Sequence, residues 1–232
     1  MTGPVTFTIQ GDVAVVVLDD GKANALSSPV VSALGDALDR AEAEARALVI
    51  AGRDGRFSAG FDLAEMTSGA DAVRALVGHG GRLLTRLFGL GIPTVAACTG
   101  HALAAGAITL LACDRRVGRP GAYKVGLNEV AIGMALPVFA VEMARARLAP
   151  TALTTATLGA TIYDPQGAVD AGYLDRLADD PLAEALAEAE QLAGLRRGAY
   201  ARTKTALRGE VIERILSTLD ADLSQLTAPG GD

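Results

Sequence analysis

Few side chains in this sequence are of types and spacings that could act as nucleophiles or metal ligands. The two histidines, His79 and His101, stand apart from any cluster of cysteines or carboxylates, so the sequence predicts no metal site. Ser58 precedes Gly60, but a nucleophile elbow also needs glycine two residues before the serine, and that position is Arg56. We therefore interpret Ser58 as a hydroxyl in a turn or at a helix start.

Binding of nucleotide phosphates or nucleic acid is also not indicated. None of the lysines follows a glycine in the frame of a phosphate-binding loop. The glycines at residues 78–81 lack the third glycine and the acidic residue of a dinucleotide fingerprint. The net charge of −6 at pH 7 further argues against a nucleic-acid partner.

Three glycine- and alanine-rich segments remain as candidates for a functional site. Singly, each is typical of a turn or a helix start, and its small residues suit places where two backbones approach closely. The third segment also carries a carboxylate, Glu129, which could act as a general base. The segments are Lys-Ala-Asn-Ala-Leu-Ser at residues 22–27, the stretch at residues 52–63, and the stretch at residues 100–133.

Alternating strands and helices must position these segments. Runs at residues 5–9 and 13–18 predict a β-hairpin. Ser27 or Ser28 is expected to cap a helix that begins at Pro29. Buried strands follow at residues 47–50 and 94–98, a short apolar helix at about 105–112, and a nearly all-helical pattern from about residue 138. This order predicts an α/β fold.

The length of 232 residues and the 50% of hydrophobic residues allow one large core. We expect a core domain at residues 1–180 and a C-terminal helical region at residues 181–232. The apolar stripe at residues 211–226 fits packing onto its own domain or a subunit interface, and both remain open. Cys98 and Cys113 are interpreted as buried small hydrophobic residues. No signal peptide or membrane span is indicated, so a cytoplasmic location is expected.

As an ordered set, the three segments resemble the crotonase (enoyl-CoA hydratase/isomerase) superfamily. The resemblance covers about residues 5–180, and Phe-Ser-Ala-Gly-Phe-Asp-Leu at residues 57–63 is its most specific part. It implies a spiral of repeated ββα units followed by C-terminal helices that assemble a homotrimer or homohexamer. It also implies an acyl-CoA thioester as substrate, with no further cofactor.

The resemblance further implies an oxyanion hole formed by two backbone N–H groups, those of Phe61 and Ala105. Such donors stabilise the enolate that forms when a proton leaves the carbon next to a thioester. The family usually has glycine where this chain has Ala105. Because only the N–H group is required, the donor is retained unless this position needs a positive φ.

The carboxylates of the third segment point to one activity within the superfamily. Hydratases of this kind use two glutamates to manage one water molecule. Here the first of those positions is Ile108, and only the second, Glu129, is a carboxylate. This pattern is similar to that of Δ3,Δ2-enoyl-CoA isomerases. Glu129 beside Ile108 should have a raised pKa that suits proton transfer near neutral pH.

The same resemblance assigns further contacts. CoA is expected near Lys22 and Ala23, and near Ser58, Ala59, Gly60 and Asp62, although Asp62 is interpreted as chiefly structural. The acyl pocket is expected to include Ile108, Tyr123 and Met134.

Three other activities compete with isomerisation. The first is hydration of a 2-enoyl-CoA, which one glutamate should perform poorly because a water molecule must be activated. The second is another crotonase reaction that uses the same oxyanion hole. The third is a non-catalytic CoA-binding scaffold subunit, against which the retention of Glu129 argues.

Overall fold

The computed structural model describes residues 3–226, and these form eleven strands and nine α-helices. The strands are β1 (Val5–Gln10), β2 (Val13–Leu18), β3 (Ala25–Leu26), β4 (Ala47–Gly52), β5 (Gly55–Ser58), β6 (Gly60–Phe61), β7 (Thr94–Cys98), β8 (Gly100–Leu103), β9 (Arg115–Gly118), β10 (Val125–Gly126) and β11 (Arg176–Leu177). The helices are α1 (Ser28–Glu44), α2 (Leu63–Met66), α3 (Ala70–Gly89), α4 (Ala105–Ala112), α5 (Val138–Arg147), α6 (Pro150–Thr157), α7 (Pro165–Ala171), α8 (Pro181–Ala193) and α9 (Arg197–Leu223), with a 3-10 turn at Val130–Ile132.

The strands form a spiral of ββα turns. The first strand of each turn joins a six-stranded sheet of order β1-β2-β4-β7-β9-β11, in which all pairs except the β1–β2 hairpin are parallel. The second strand joins a small layer, either β10-β8-β5 or β3-β6. A helix then returns the chain to the large sheet. The predicted α/β spiral of ββα units is therefore confirmed.

Both faces of the inner strands β2, β4 and β7 are buried, which explains why these strands are almost wholly apolar. Alternate residues of β2 point to opposite faces. Val16 and Leu18 join the main core under α1, α3 and α4, whereas Val13 and Val15 face a smaller cluster covered by α8. Cys98 and Cys113 are free and buried, as the sequence indicated.

The start of α1 shows how local expectation and packing differ. Ser27 is the N-cap residue and Pro29 lies in the first turn, as predicted. The Ser27 hydroxyl, however, makes no capping hydrogen bond. Ser28 instead uses its N–H and its hydroxyl to contact the carboxylate of Glu65, at 2.9 Å and 2.6 Å. The tertiary contact takes the place of the local cap.

The last helix, α9, packs on its own domain through α3 and α5. Ile215, Leu219 and Leu223 of its apolar stripe are buried in the main core, which leaves Leu216 half-exposed on the outer side. Of the two readings of this stripe, packing onto the same chain is the one observed. The apolar stripe therefore gives no support for a homotrimer or homohexamer, and that assembly stays a prediction.

A buried ionic cluster fastens α9 to the large sheet. The Asp114 carboxylate pairs with Nζ of Lys204 at 2.6 Å and with the guanidinium of Arg208 at 2.9 Å. The Tyr200 hydroxyl also donates to it, at 2.7 Å. The side chains of the three charged residues are at most 9% exposed, so each charge depends on its partners.

Candidate active site

A cavity of about 670 Å³ opens between the second strands of the spiral and helices α2 and α3. Most of its wall is apolar. At its outer end lie Lys22 and Ala23, with Lys22 exposed to solvent. Deeper inside, the wall is formed by buried side chains from four different helices, namely Met66, Val77, Ile108 and Phe139, whereas Ile132 of the 3-10 turn lines the cavity and is 42% exposed. An elongated molecule with a polar head and an apolar tail would fit this division.

Asn24 and Ser58 fasten the first two predicted segments to each other. The Asn24 amide donates to the carbonyls of Leu18, Arg56 and Phe57 at 2.8–3.2 Å. The Ser58 hydroxyl donates to the Asn24 carbonyl at 2.7 Å and accepts from the Gly60 N–H. Because Ser58 is fully buried and its hydroxyl is occupied, its side chain supports the turn and does not line the cavity.

Gly60 allows the second and third segments to approach. It has φ of 98°, and a Cβ at this position would lie 2.8 Å from Cβ of Ala104 and 3.2 Å from the backbone nitrogen of Ala105. Gly106 is constrained in the same way, because a side chain there would collide with the Ser58 backbone. These two glycines therefore bring the start of α4 directly against the strand that carries Phe61.

The two backbone N–H groups implied as an oxyanion hole belong to the two segments that meet at Gly60. Ala105 is the first residue of α4, so its N–H group has no intrahelical acceptor, and none is found elsewhere in residues 3–226. The Asp62 N–H group donates to the Leu26 carbonyl at 3.3 Å. Because alternate residues of a parallel strand bond to their partner strand, the N–H group of Phe61 is turned away from β3.

The backbone conformation at the start of α4 shows whether Ala105 can stand where the family usually has glycine. Ala105 itself has helical geometry, so the alanine is tolerated there. The positive φ falls on the preceding residue, Ala104, with φ of 49° and ψ of −125°. That region favours glycine strongly, so Ala104 holds local strain beside the cavity.

Glu129 lies at the start of the 3-10 turn and lines the cavity together with Ile108 and Met134. It is only 7% exposed. Its Oε2 atom has no hydrogen-bond partner in the described part of the chain, and neither has Oδ1 of neighbouring Asn128. Burial raises the pKa of Glu129 to about 7, and the backbone N–H groups of Glu129 and Asn128 offset part of that rise.

The two other carboxylates in the cavity wall accept hydrogen bonds from backbone N–H groups close to them in sequence. Asp20 accepts hydrogen bonds from the N–H groups of Lys22, Asn24 and Ala25. Asp62 caps α2 by accepting from the Glu65 N–H group at 3.0 Å, which agrees with its structural interpretation. Glu129 is therefore the carboxylate that is buried in the cavity and has one oxygen, Oε2, without a hydrogen-bond partner in the described residues.

One predicted pocket residue lies elsewhere. Tyr123 does not line the cavity; its ring makes an edge contact with the ring of His101 at a centroid distance of 5.5 Å. It precedes β10, and its ring packs on the turn that contains Gly121, where an added Cβ would lie 3.1 Å from Cε2 of Tyr123. Ala59 does reach the cavity wall, and its N–H group donates to the Ala23 carbonyl at 3.0 Å.

The sequence analysis missed part of the site. Val77 and Phe139 line the cavity, yet both lie in helices to which the sequence analysis assigned no part of the site. Asn24, with φ of 53° and a fully used amide, braces the site although no role was assigned to it. Residues 3–226 contain no group of three or more His, Cys, Asp or Glu side chains that could hold a metal ion. Among the same residues no helix is long and apolar enough to cross a bilayer.

Known proteins share this architecture. A family model described as enoyl-CoA hydratase/isomerase matches residues 8–230. A crystal structure of an enoyl-CoA hydratase/isomerase family protein from Pseudomonas syringae is similar with a TM-score of 0.94 and 36% identity, covering 97% of this chain and 98% of that one. A probable enoyl-CoA hydratase from Bacillus subtilis is 32% identical over 194 residues, which are 82% of this chain and 74% of the relative.

A third relative shows that names within the group diverge. A protein from Mycobacterium tuberculosis is similar with a TM-score of 0.91 and 37% identity, covering 97% of this chain and 100% of that one. One of its structures is described as an enoyl-CoA isomerase and another as a probable enoyl-CoA hydratase.

The ββα spiral with its cavity beneath the start of α4 is the crotonase fold. The chain belongs to the enoyl-CoA hydratase/isomerase family.

Proposed function

We propose that the protein is an enoyl-CoA isomerase that converts 3-enoyl-CoA to 2-enoyl-CoA. The observation that carries the proposal is the single uncommitted carboxylate, Glu129, facing apolar Ile108 in a largely apolar cavity. A 1,3-proton shift needs one group that accepts a proton and returns it. Hydration needs a second group to activate and orient a water molecule.

The proposed reaction has two proton transfers. The Glu129 carboxylate removes a proton from C2, and the electron pair moves through the thioester carbonyl to form a dienolate. The N–H groups of Phe61 and Ala105 hold the enolate oxygen, and the N-terminus of α4 adds a favourable dipole. The neutral Glu129 then returns the proton to C4. A pKa of about 7 leaves both forms of Glu129 accessible near neutral pH.

The division of the cavity supports an acyl-CoA as substrate. The CoA part would lie at the outer end near Lys22 and Ala23, and the acyl chain would extend toward Met134 and Phe139. One description of the Mycobacterium tuberculosis relative, as an enoyl-CoA isomerase, supports isomerisation, whereas its other description, as a probable enoyl-CoA hydratase, does not.

The decisive experiment incubates purified protein with 3-enoyl-CoA and with 2-enoyl-CoA in parallel and follows isomer and hydrated product. We expect isomerisation to dominate, and Glu129→Gln should lower its turnover by about 10²–10⁴-fold while acyl-CoA binding persists. Near-normal isomerase turnover in Glu129→Gln would refute Glu129 as the base.

Enoyl-CoA hydratase is the second candidate, because relatives such as the one from Bacillus subtilis are named as probable hydratases. Robust hydration by the unmodified protein would favour this function. It would also require that Glu129 alone, or an acid elsewhere, can activate water.

A further inference from the structure

Helix α3 contains a cluster of glycines that a helix would ordinarily avoid. Gly78, Gly80 and Gly81 all lie in its interior and are all buried. Each lowers helix stability relative to alanine, because glycine gains more freedom in the unfolded chain. Gly78 has a packing reason, since a Cβ there would lie 2.9 Å from Cδ1 of Leu223 in α9. Gly80 and Gly81 face different neighbours.

Both neighbours are aromatic rings of the cavity wall. A Cβ at Gly80 would lie 2.5 Å from Cζ of Phe61 and closer still to its Cε1. A Cβ at Gly81 would lie 2.7 Å and 2.8 Å from Cδ1 and Cε1 of Phe139. Ordinary contact begins at 3.4 Å, so each ring occupies the space that a side chain on α3 would fill. Val77, one turn before Gly81, lines the same cavity.

We propose that Gly80 and Gly81 determine which acyl chains the protein accepts, by seating the rings of Phe61 and Phe139 against α3 and so keeping the inner cavity open. The inference rests on the proposed function only in taking an acyl-CoA as the occupant. The atoms nearest to a Cβ at Gly80 belong to the Phe61 ring and not to its backbone N–H group, and those nearest to a Cβ at Gly81 belong to Phe139 and Leu219. They set the depth of the apolar part of the site.

The surroundings of the Phe61 ring decide in which direction a side chain at Gly80 would move it. The Phe61 backbone is held by the pairing of β6 with β3, so the ring can only turn about its side-chain bonds. Helix α3 closes one side, and the cavity is the open side. A methyl group at Gly80 would therefore push the ring about 1 Å or more into the acyl space.

The loss of binding affinity depends on the length of the acyl chain. A short acyl chain that ends before the rings should bind almost as before. A long chain loses the space of its last methylenes, and each buried methylene contributes about fourfold to affinity. Loss of two methylenes predicts about 15-fold weaker binding for the long chain. If Gly80 and Gly81 served helix packing alone, binding would change equally at every length.

The test measures dissociation constants of saturated acyl-CoA with 4, 8 and 12 acyl carbons by calorimetry. The variants are Gly80→Ala and Gly81→Ala, and the matched control is Gly35→Ala, a helical glycine of α1 with no atom within 4 Å of its would-be Cβ. We expect binding of the 12-carbon ligand to weaken about 15-fold in Gly80→Ala and that of the 4-carbon ligand by less than about threefold. Gly35→Ala should leave the length profile unchanged.

A second variant distinguishes a change in the cavity from misfolding of the protein. Phe61→Leu removes the outer part of the ring, so the double variant Gly80→Ala/Phe61→Leu should recover long-chain binding, and Phe61→Leu alone should favour longer chains. An unchanged length profile in Phe61→Leu, or a uniform loss in Gly80→Ala, would overturn the inference. Wild-type protein that binds no acyl-CoA of any length would instead refute the proposed function.

Discussion

Replacement of Glu129 by glutamine should change how stability depends on pH. Burial raises the pKa of Glu129 to about 7 from an ordinary value of 4.5, so folding favours the neutral acid. The stability that this group contributes is fully present below pH 4.5 and is lost as pH rises through 7. Two and a half pKa units correspond to about 3.4 kcal/mol at high pH. Between pH 5 and pH 8 the linkage predicts a loss of about 2.5 kcal/mol.

Glutamine keeps the size of the side chain and removes this titration. The free energy of unfolding can be measured by urea denaturation at pH 5 and at pH 8. Its decrease between these two pH values should be about 2.5 kcal/mol smaller in Glu129→Gln than in wild type. Glu190→Gln, at an exposed position of α8, is the matched control and should follow wild type. Equal pH dependence in Glu129→Gln and wild type would refute the reasoning, because the buried carboxyl would then titrate as it does in water.

Three further predictions follow from strain, charge and assembly. Ala104→Gly should raise the free energy of unfolding by about 1 kcal/mol, because it relieves the positive φ; a loss of stability in urea denaturation would contradict this. Asp114→Asn should cost about 3–5 kcal/mol in the same assay, because it leaves Lys204 and Arg208 buried without a counter-charge. The protein should self-associate as a trimer or hexamer, and a stable monomer at micromolar concentration in sedimentation would count against this.

Local patterns in the sequence were sufficient for the main strands and helices, but not for the two-residue strands β3, β6 and β11. The inner strands β2, β4 and β7 of the large sheet are almost wholly apolar because both of their faces are covered, and such apolar runs can be recognised in the sequence. The helix at residues 105–112 and the strand at residues 94–98 have the predicted bounds. Helix α9 begins at Arg197, earlier than its apolar stripe, because its first turns are held by the ionic cluster on Asp114 and not by apolar contacts.

The sequence also determined the family and the presence of one carboxylate at Glu129, because short motifs keep their spacing whatever surrounds them. Only the tertiary structure decided what these residues can do. The exposure of Glu129, the approach of Gly60 to Ala105 and the departure of Tyr123 from the cavity depend on segments distant in sequence. The same is true of the rings held against Gly80 and Gly81. The burial of a residue and its contacts depend on which distant segments pack against it and exclude water. A local sequence pattern does not specify those segments.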